Sequence, residues 1–338
     1  MHDEGATIVV TGAGGFIGAM VVEDLASRGT VTIGGRDRTI GRIVALDIAE
    51  GPLDDLARRQ AKVESIAGDL ADEGIREAIL ASKPDAIIHL AAVVSSAAEA
   101  DFDLGLAVNV RSLMDLLSAV QRLDQAPVFV FASSVAVFSA QGNADIDEDL
   151  EPRPLSSYGT QKVIGELLVR DAARRGIIDG RTIRFPTISI RPGAPNKAAS
   201  SFASGIVREP LKGETSILPV SRDTRLHLAS PSNAVAAVIR TLSLERSEIG
   251  QETTITLPGL SVTVAEMLDT LERVAGPETA GLVTDQEDAA ISTIVSTWPG
   301  RVAAPRAERL GFTAETSFEE IVREHMERSK PDPTGGRS

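Results

Sequence analysis

The segment Thr11-Gly12-Ala13-Gly14-Gly15-Phe16-Ile17-Gly18 constrains this chain more than any other. It follows a β-branched run, Thr7 to Thr11, and opens a helical pattern from Phe16 to Arg28. Glycines at 12, 15 and 18 let the backbone turn tightly, approach a pyrophosphate and pack the helix on a sheet. The helix N-terminal amides, at Phe16, Ile17 and Gly18, then face the phosphates. A glycine-rich loop alone is a weak signal; between a strand and a helix at the chain start, it has the context that the motif requires.

The alternation repeats further along the chain. Arg42 to Ile48, Lys62 to Ala67, Ala86 to Leu90, Val128 to Ala132, Thr182 to Pro186 and Thr253 to Leu257 read as strands, with helical patterns between the early ones. Apolar strands alternating with helices predict an α/β fold, a Rossmann-type doubly wound parallel sheet covered on both faces. Ligands then bind at the carboxyl ends of the strands. The second half changes character. Arg191 to Glu214 is rich in Gly, Pro, Ser and Asn around a helix at Ala199 to Arg208, while Leu260 to Val274 and Phe318 to Arg328 are amphipathic. The expected organisation is a dinucleotide domain of residues 1–186 and 228–258. A smaller, sequence-discontinuous lobe follows from 187–227 and 259–328, with a disordered tail at 329–338.

Composition removes several function classes. The chain of 338 residues carries 34 basic and 48 acidic side chains, a net charge of −14, which argues against a nucleic-acid partner. With no cysteine and four dispersed histidines, it offers no thiolate chemistry and no metal-ligand spacing. The acidic start and the lack of a long apolar stretch predict neither a secretory signal nor a membrane span, and a cytoplasmic location.

An acidic side chain ending the second strand would hydrogen-bond the adenosine ribose. Asp37 has the usual spacing from the glycines, whereas Asp47 ends the better strand; Thr30 to Gly41 reads as a lengthened loop or short ribbon. Asp47 is preferred, and a carboxylate there repels a 2′-phosphate, favouring NAD over NADP. Arg36, Arg38 and Arg42 are the counter-argument, since an arginine accepts that phosphate. Gly68-Asp69-Leu70, after the third strand, is placed to meet the adenine, with Asp69 as a helix N-cap the equal alternative.

Tyr158 and Lys162 lie four residues apart, on one face of a helix. Free tyrosine is no base at neutral pH, and a neighbouring ammonium lowers its pKa. Tyr158 is the chain's only tyrosine, and it follows a strand that ends in Ala132-Ser133-Ser134. With these pieces, and with IIHLAA at 87–92, VN at 109 and FASSVAVF at 131–138, the chain resembles the extended short-chain dehydrogenase/reductase superfamily. The resemblance implies that Ser134 binds the reacting oxygen and Tyr158 is the acid/base. Lys162 holds the nicotinamide ribose, and Asn109 completes a water-linked proton relay. It also implies cofactor contacts at Ala91, Ala92, Pro186 and Thr187. Ser133 is read as a satisfied strand-end hydroxyl and His89 as structural.

Val135 and Ala136 stand where dehydratases of that superfamily carry an acidic pair, and Phe138-Ser139 where epimerases carry Tyr-Gly. The strings from Phe185 to Leu211, Asp223 to Leu226 and Leu257 to Val264, with residues 91–105, resemble the D-erythronate dehydrogenase family. That resemblance implies NAD-linked oxidation of the C2 hydroxyl of a four-carbon sugar acid to a 2-oxo-tetronate. A carboxylate calls for an arginine fork. Arg225 is the first candidate and Arg191 the reserve, with ion pairing to Asp223 as the plain alternative for Arg225. Asn196, Ser200 and Ser201 are candidates for the substrate hydroxyls or turn and cap residues, and Val93, Val94 and Ser95 for the site rim. The resemblance further implies a homodimer through the helices at 103–121 and 158–175. A nucleotide-sugar epimerase is the alternative, and a non-catalytic NAD-binding sensor ranks below it.

Overall fold

The computed structural model describes residues 5–140, 143–193 and 199–330. The chain opens with β1 (Ala6–Thr11), α1 (Phe16–Ser27), β2 (Thr30–Ile33), β3 (Arg36–Asp47), α2 (Glu50–Arg59), β4 (Val63–Ala67), α3 (Glu73–Ala81) and β5 (Ala86–His89). Next come α4 (Ser95–Ala100), α5 (Phe102–Leu106), a π-helical turn (Ala107–Arg111), α6 (Ser112–Val120), β6 (Val128–Ser134), β7 (Asp145–Asp147) and α7 (Ser157–Arg174). Then follow β8 (Asp179–Phe185), β9 (Thr187–Ile188), α8 (Phe202–Leu211), β10 (Ser216–Leu218), β11 (Arg225–Ala229), α9 (Pro231–Ser243) and α10 (Arg246–Ile249).

An eight-stranded sheet runs β12-β8-β6-β5-β1-β3, where β12 is Thr254–Thr256, and both β4 and β2 pair with β3. All pairings are parallel except β2 with β3. The strand order reverses between β1 and β5, and the crevice beyond their carboxyl ends is where doubly wound sheets bind ligands. Successive side chains of β1 enter different cores. Ile8 and Val10 join the cluster that includes Val21, Val22 and Leu25 of α1 and Val235 and Val238 of α9. Val9 joins Ile87, Phe129, Leu116 and Val169 on the other face.

The Thr30 to Gly41 segment is the ribbon alternative. Gly34 and Gly35 take positive φ values of 56° and 81°, the backbone that a two-residue hairpin turn with the twist of its strands requires. The helix expected over 103–121 runs without a gap from α5 through the π-helical turn into α6, and Asn109, the central residue of that turn, is buried. The helix expected from Leu260 begins later. Leu-Ser-Val-Thr first forms β13 (Leu260–Thr263), antiparallel to β11, and Thr263 then starts α11 (Val264–Ala275) through a capping box with Glu266.

The remaining elements are α12 (Pro277–Ala280), β14 (Val283–Asp285), α13 (Ala289–Val295), β15 (Arg301–Ala303), α14 (Pro305–Arg309) and α15 (Phe318–Arg328). A second core gathers Ile190, Phe202, Ile206 and Val207 with Leu226, Leu228, Met267, Leu271, Phe318 and Ile321, from α8, β11, α11 and α15. It lies beside the three-stranded sheet β13-β11-β9.

Candidate active site

Glycine spacing shapes the first part of the site. A Cβ at Gly12 would stand 2.6 Å from the Ala91 amide nitrogen, and one at Gly18 only 2.0 Å from the Gly12 carbonyl oxygen. Neither position tolerates a side chain, so the loop, the first helix and the segment after β5 touch backbone to backbone. Gly15 caps α1 without a side-chain hydrogen bond. The first-turn amides, which include Phe16, Ile17 and Gly18, have no acceptor within the helix. These features suit a pyrophosphate, so the residues present fit a dinucleotide.

Asp47 ends β3 beside this loop. Its Oδ2 accepts from the Gly14 amide at 2.9 Å, its Oδ1 accepts from Ala49, and its carbonyl receives the Gly68 amide. The Gly68-Asp69-Leu70 segment therefore adjoins Asp47. Asp69 folds back on the Ala71 amide, and Asp72 caps α3, so the capping alternative for Asp69 is not the arrangement found. Asp37 lies on the exposed ribbon, accepting from Thr32. Arg38 and Arg42 are engaged near the amino ends of the strands, Arg38 by Asp85 and Arg42 by Glu64 and the Ser82 carbonyl. Arg36 sits by the hairpin turn, opposite Ile33. The ligand crevice is at the other end of the sheet.

Past the switch point, β6 and α7 deliver the polar side chains. Ser156 caps α7 through the Gly159 amide, and Glu99 of α4 accepts from the Ser157 amide. The first turn of α7 is thus fixed where Tyr158 must stand. Ser134, the last residue of β6, hydrogen-bonds Tyr158 and also accepts from the Ala136 amide at 3.1 Å. Lys162 is buried, donates to the Ala132 carbonyl at 2.8 Å and stands 5.5 Å from the centre of the Tyr158 ring.

Burial pushes the Tyr158 phenol up to about 12, against the Arg191 charge and the Ser134 hydrogen bond, which pull it down. Burial also lowers the Lys162 ammonium to about 8, against the pull of Glu166. Lys162 also faces the Phe131 ring, 5.0 Å away.

Arg191 follows β9. Its Nε donates to the Ile188 carbonyl and its Nη2 to Ser200 Oγ, both at 3.0 Å. Ser200 and Ser201 open the segment before α8. Arg225, the first candidate for the carboxylate, is instead engaged by Asp145 at 2.8 Å and by Ser261 at 2.9 Å. Its ion-pair partner is Asp145, brought from 80 residues away, rather than Asp223. Asn196 lies outside the described residues. Pro186 and Thr187 directly follow Phe185, the register partner of Ser134. Val94 is exposed and Ser95 starts α4.

The Asn109 side chain is held from two sides. Its Oδ1 accepts from the Val93 amide at 2.9 Å; its Nδ2 donates to the Val93 carbonyl at 3.1 Å and to Gln161 Oε1 at 2.7 Å. Both of its N–H bonds are thereby committed. Ser133 is satisfied by Glu166 at 2.6 Å, and Arg184 grips the same carboxylate with two nitrogens. His89 bonds Thr11 at 2.8 Å and stacks on Phe131; burial lowers it to about 3, so it is neutral. Gln161, Glu99 and the Glu166–Arg184 pair were not singled out from sequence; only Gln161's place inside the Tyr-to-Lys spacing was a signal. Among the described residues no three His, Asp or Glu side chains gather as a metal site, and no helix is long and apolar enough to cross a membrane.

Residues 8–250 match the model of the NAD dependent epimerase/dehydratase family. A D-erythronate dehydrogenase from Cupriavidus necator is 45% identical over 95% of this chain and 98% of its own length. One from Haemophilus influenzae is 37% identical over the same shares. A crystal structure described as a nucleoside-diphosphate-sugar epimerase from Agrobacterium tumefaciens superposes with a TM-score of 0.88 at 39% identity, covering 98% of this chain and 96% of that one.

Proposed function

The chain belongs to the NAD dependent epimerase/dehydratase family, and from that premise we propose that it oxidises D-erythronate at C2 to a 2-oxo-tetronate. The observation that carries this reading is the meeting of Ser134, Tyr158 and Lys162 at the carboxyl end of β6, with the Arg191 charge acting on Tyr158. A cation suited to a carboxylate lies near a proton acceptor suited to the hydroxyl on the adjacent carbon. The two relatives named D-erythronate dehydrogenase support the same substrate.

Gly12, Gly15, Phe16, Ile17 and Gly18 would hold the NAD pyrophosphate, Asp47 the adenosine ribose, and Asp69 and Leu70 the adenine. Ala91, Ala92, Pro186, Thr187, Tyr158 and Lys162 would hold the nicotinamide half. When bound, NAD is the oxidant and accepts the C2 hydrogen with its electron pair. Ser134 orients the C2 oxygen, and Tyr158 takes the hydroxyl proton as the carbonyl forms. A phenol at about 12 binds that proton tightly but is itself protonated at rest. Arg191 and Ser134 already draw the pKa down against burial, and the charge of Lys162 lowers it further once ligands exclude water. Arg191, with Ser200 holding its fork, fixes the substrate carboxylate. Ser201, Asn196, Val94 and Ser95 complete the substrate side, and Arg225 holds the lobe to Asp145 rather than the carboxylate.

The reading also includes two lobes with the boundaries given above, a cytoplasmic enzyme, and no nucleic-acid or membrane partner. It includes a homodimer through the helices at 103–121 and 158–175. Exposed Leu104, Met114 and Leu167 on those helices support the dimer; sedimentation that gives a monomer would remove it.

Absorbance of reduced cofactor is the test, with NAD or NADP against D-erythronate, L-threonate, D-threonate and a neutral tetritol. Reduction of NAD by D-erythronate is expected, and Tyr158→Phe should cut turnover by about 10²–10⁴-fold with NAD affinity unchanged. The Agrobacterium tumefaciens relative favours a second reading, a nucleotide-sugar epimerase. Conversion of a nucleotide sugar without net cofactor reduction, and no reaction with any acid, would establish it instead.

A further inference from the structure

Gln161 stands between Tyr158 and Lys162 in the sequence and takes no part in the chemistry above. It is almost completely buried, and its Nε2 has no hydrogen-bond partner. Its orientation is nevertheless determined, from the backbone outward. The Val93 amide and carbonyl can be met only by Asn109 Oδ1 and Nδ2 respectively. The second Asn109 N–H then points at Gln161, which must present Oε1. The Gln161 amide is left facing α5, where a Cβ on Gly105 would lie 2.4 Å from Nε2. Only glycine at 105 leaves room for a side chain of this length.

We propose that Gln161 is a positioning residue for the reaction. Through Asn109 it sets Val93, and hence the rim segment Val94–Ser95, at a fixed distance from the helix that carries Tyr158. The arrangement accepts an unpaired buried amide, a cost that folding alone gives no reason to keep. Glu99 makes the second tie between the same two parts, from α4 to the Ser157 amide. With both ties in place, rim and tyrosine form one rigid frame, and a substrate spanning them is measured against it.

Gln161→Leu keeps the volume and removes the acceptor. Amide exchange across residues 91–96, read by mass spectrometry, should accelerate by about tenfold, the order of one net hydrogen bond. KM for D-erythronate should rise by about as much, with kcat within about threefold and NAD affinity within about twofold. Gly105→Ala, which pushes Gln161 from the other side, should reproduce both effects. In Gly105→Ala/Gln161→Ala, measured beside Gly105→Ala and Gln161→Ala alone, the methyl gains room, so the two changes should combine to less than the sum of their logarithms. Wild-type exchange at 91–96 in both single variants would overturn the proposal. So would faster exchange with unchanged KM, or full additivity. The KM measurement rests on the proposed function, but the exchange and cycle measurements do not: wild-type inactivity on D-erythronate would defeat that reading alone, while exchange still decides this one.

Discussion

Replacing Arg191 separates the two arginines that the sequence offered for one carboxylate. Its guanidinium keeps Ile188 and Ser200 through Nε and Nη2, and it acts on Tyr158. Arg191→Lys retains a positive charge but cannot supply a fork. It forfeits one charge-assisted hydrogen bond to the substrate, about 1.5–3 kcal/mol, or roughly 10–150-fold in kcat/KM. Arg191→Leu also removes the charge. Because that charge pulls the Tyr158 pKa down, its loss sends the pKa further up, and the acidic limb of the kcat profile should move to higher pH. Arg191→Lys should leave that limb near its original place. Arg225→Leu breaks an ion pair of half-exposed groups with Asp145 and should change KM by less than about fivefold, since such pairs contribute at most about 1 kcal/mol. The assay is initial-rate kinetics with NAD as a function of pH. An unchanged KM and pH limb in both Arg191 variants, with a large KM rise in Arg225→Leu, would refute the placement of the carboxylate at Arg191.

Three further outcomes follow from neighbouring features. Asp47→Ser should weaken NAD by about 10–100-fold and narrow its preference over NADP, as measured by titration with each cofactor, because the engaged Arg38 and Arg42 cannot replace the lost carboxylate. Glu166→Ala leaves Arg184 buried and unpaired beneath the active site, and should lower stability in urea by about 3–5 kcal/mol. His89 and His227 are held neutral by burial, at about 3 and about 4, against about 6.5 in the unfolded chain. Unfolding therefore takes up protons below pH 6.5 or so; the stability that both contribute is complete above that value and falls as pH drops towards 4 (roughly two protons' dependence). Urea midpoints between pH 7 and pH 4.5 check it, and a flat profile would contradict the neutral, buried state of both rings.

The readable parts of this protein were those fixed by local backbone demands. Gly12 and Gly18 were legible because a loop that brings helix, strand and ligand together needs positions without Cβ. The parallel sheet was legible because strands covered on both faces are apolar along their length. Ser134, Tyr158 and Lys162 could be named together, since a helix puts residues four apart on one face and the tyrosine is unique. Asp47 over Asp37 rested on strand quality, and the fold supplies its reason: the ribbon carries Asp37 away, whereas β3 brings Asp47 to the Gly14 amide. The start of the α11 pattern differs because Leu260 to Thr263 satisfies helical and strand periodicity alike, and pairing with β11 decides between them.

By itself, then, the sequence determined the glycine cradle, the sheet and the spacing of the acid/base pair, all properties of residues near one another along the chain. Tertiary structure alone decided which charges meet. The Arg191 charge acts on Tyr158 while Arg225 is claimed by Asp145; Asn109 closes on Val93 and Gln161; and burial sets the direction of the Tyr158 pKa. The reason is physical. Hydrogen bonds and charges act over a few ångströms of space, and a distance of that size between residues tens of positions apart is written only in how the elements pack.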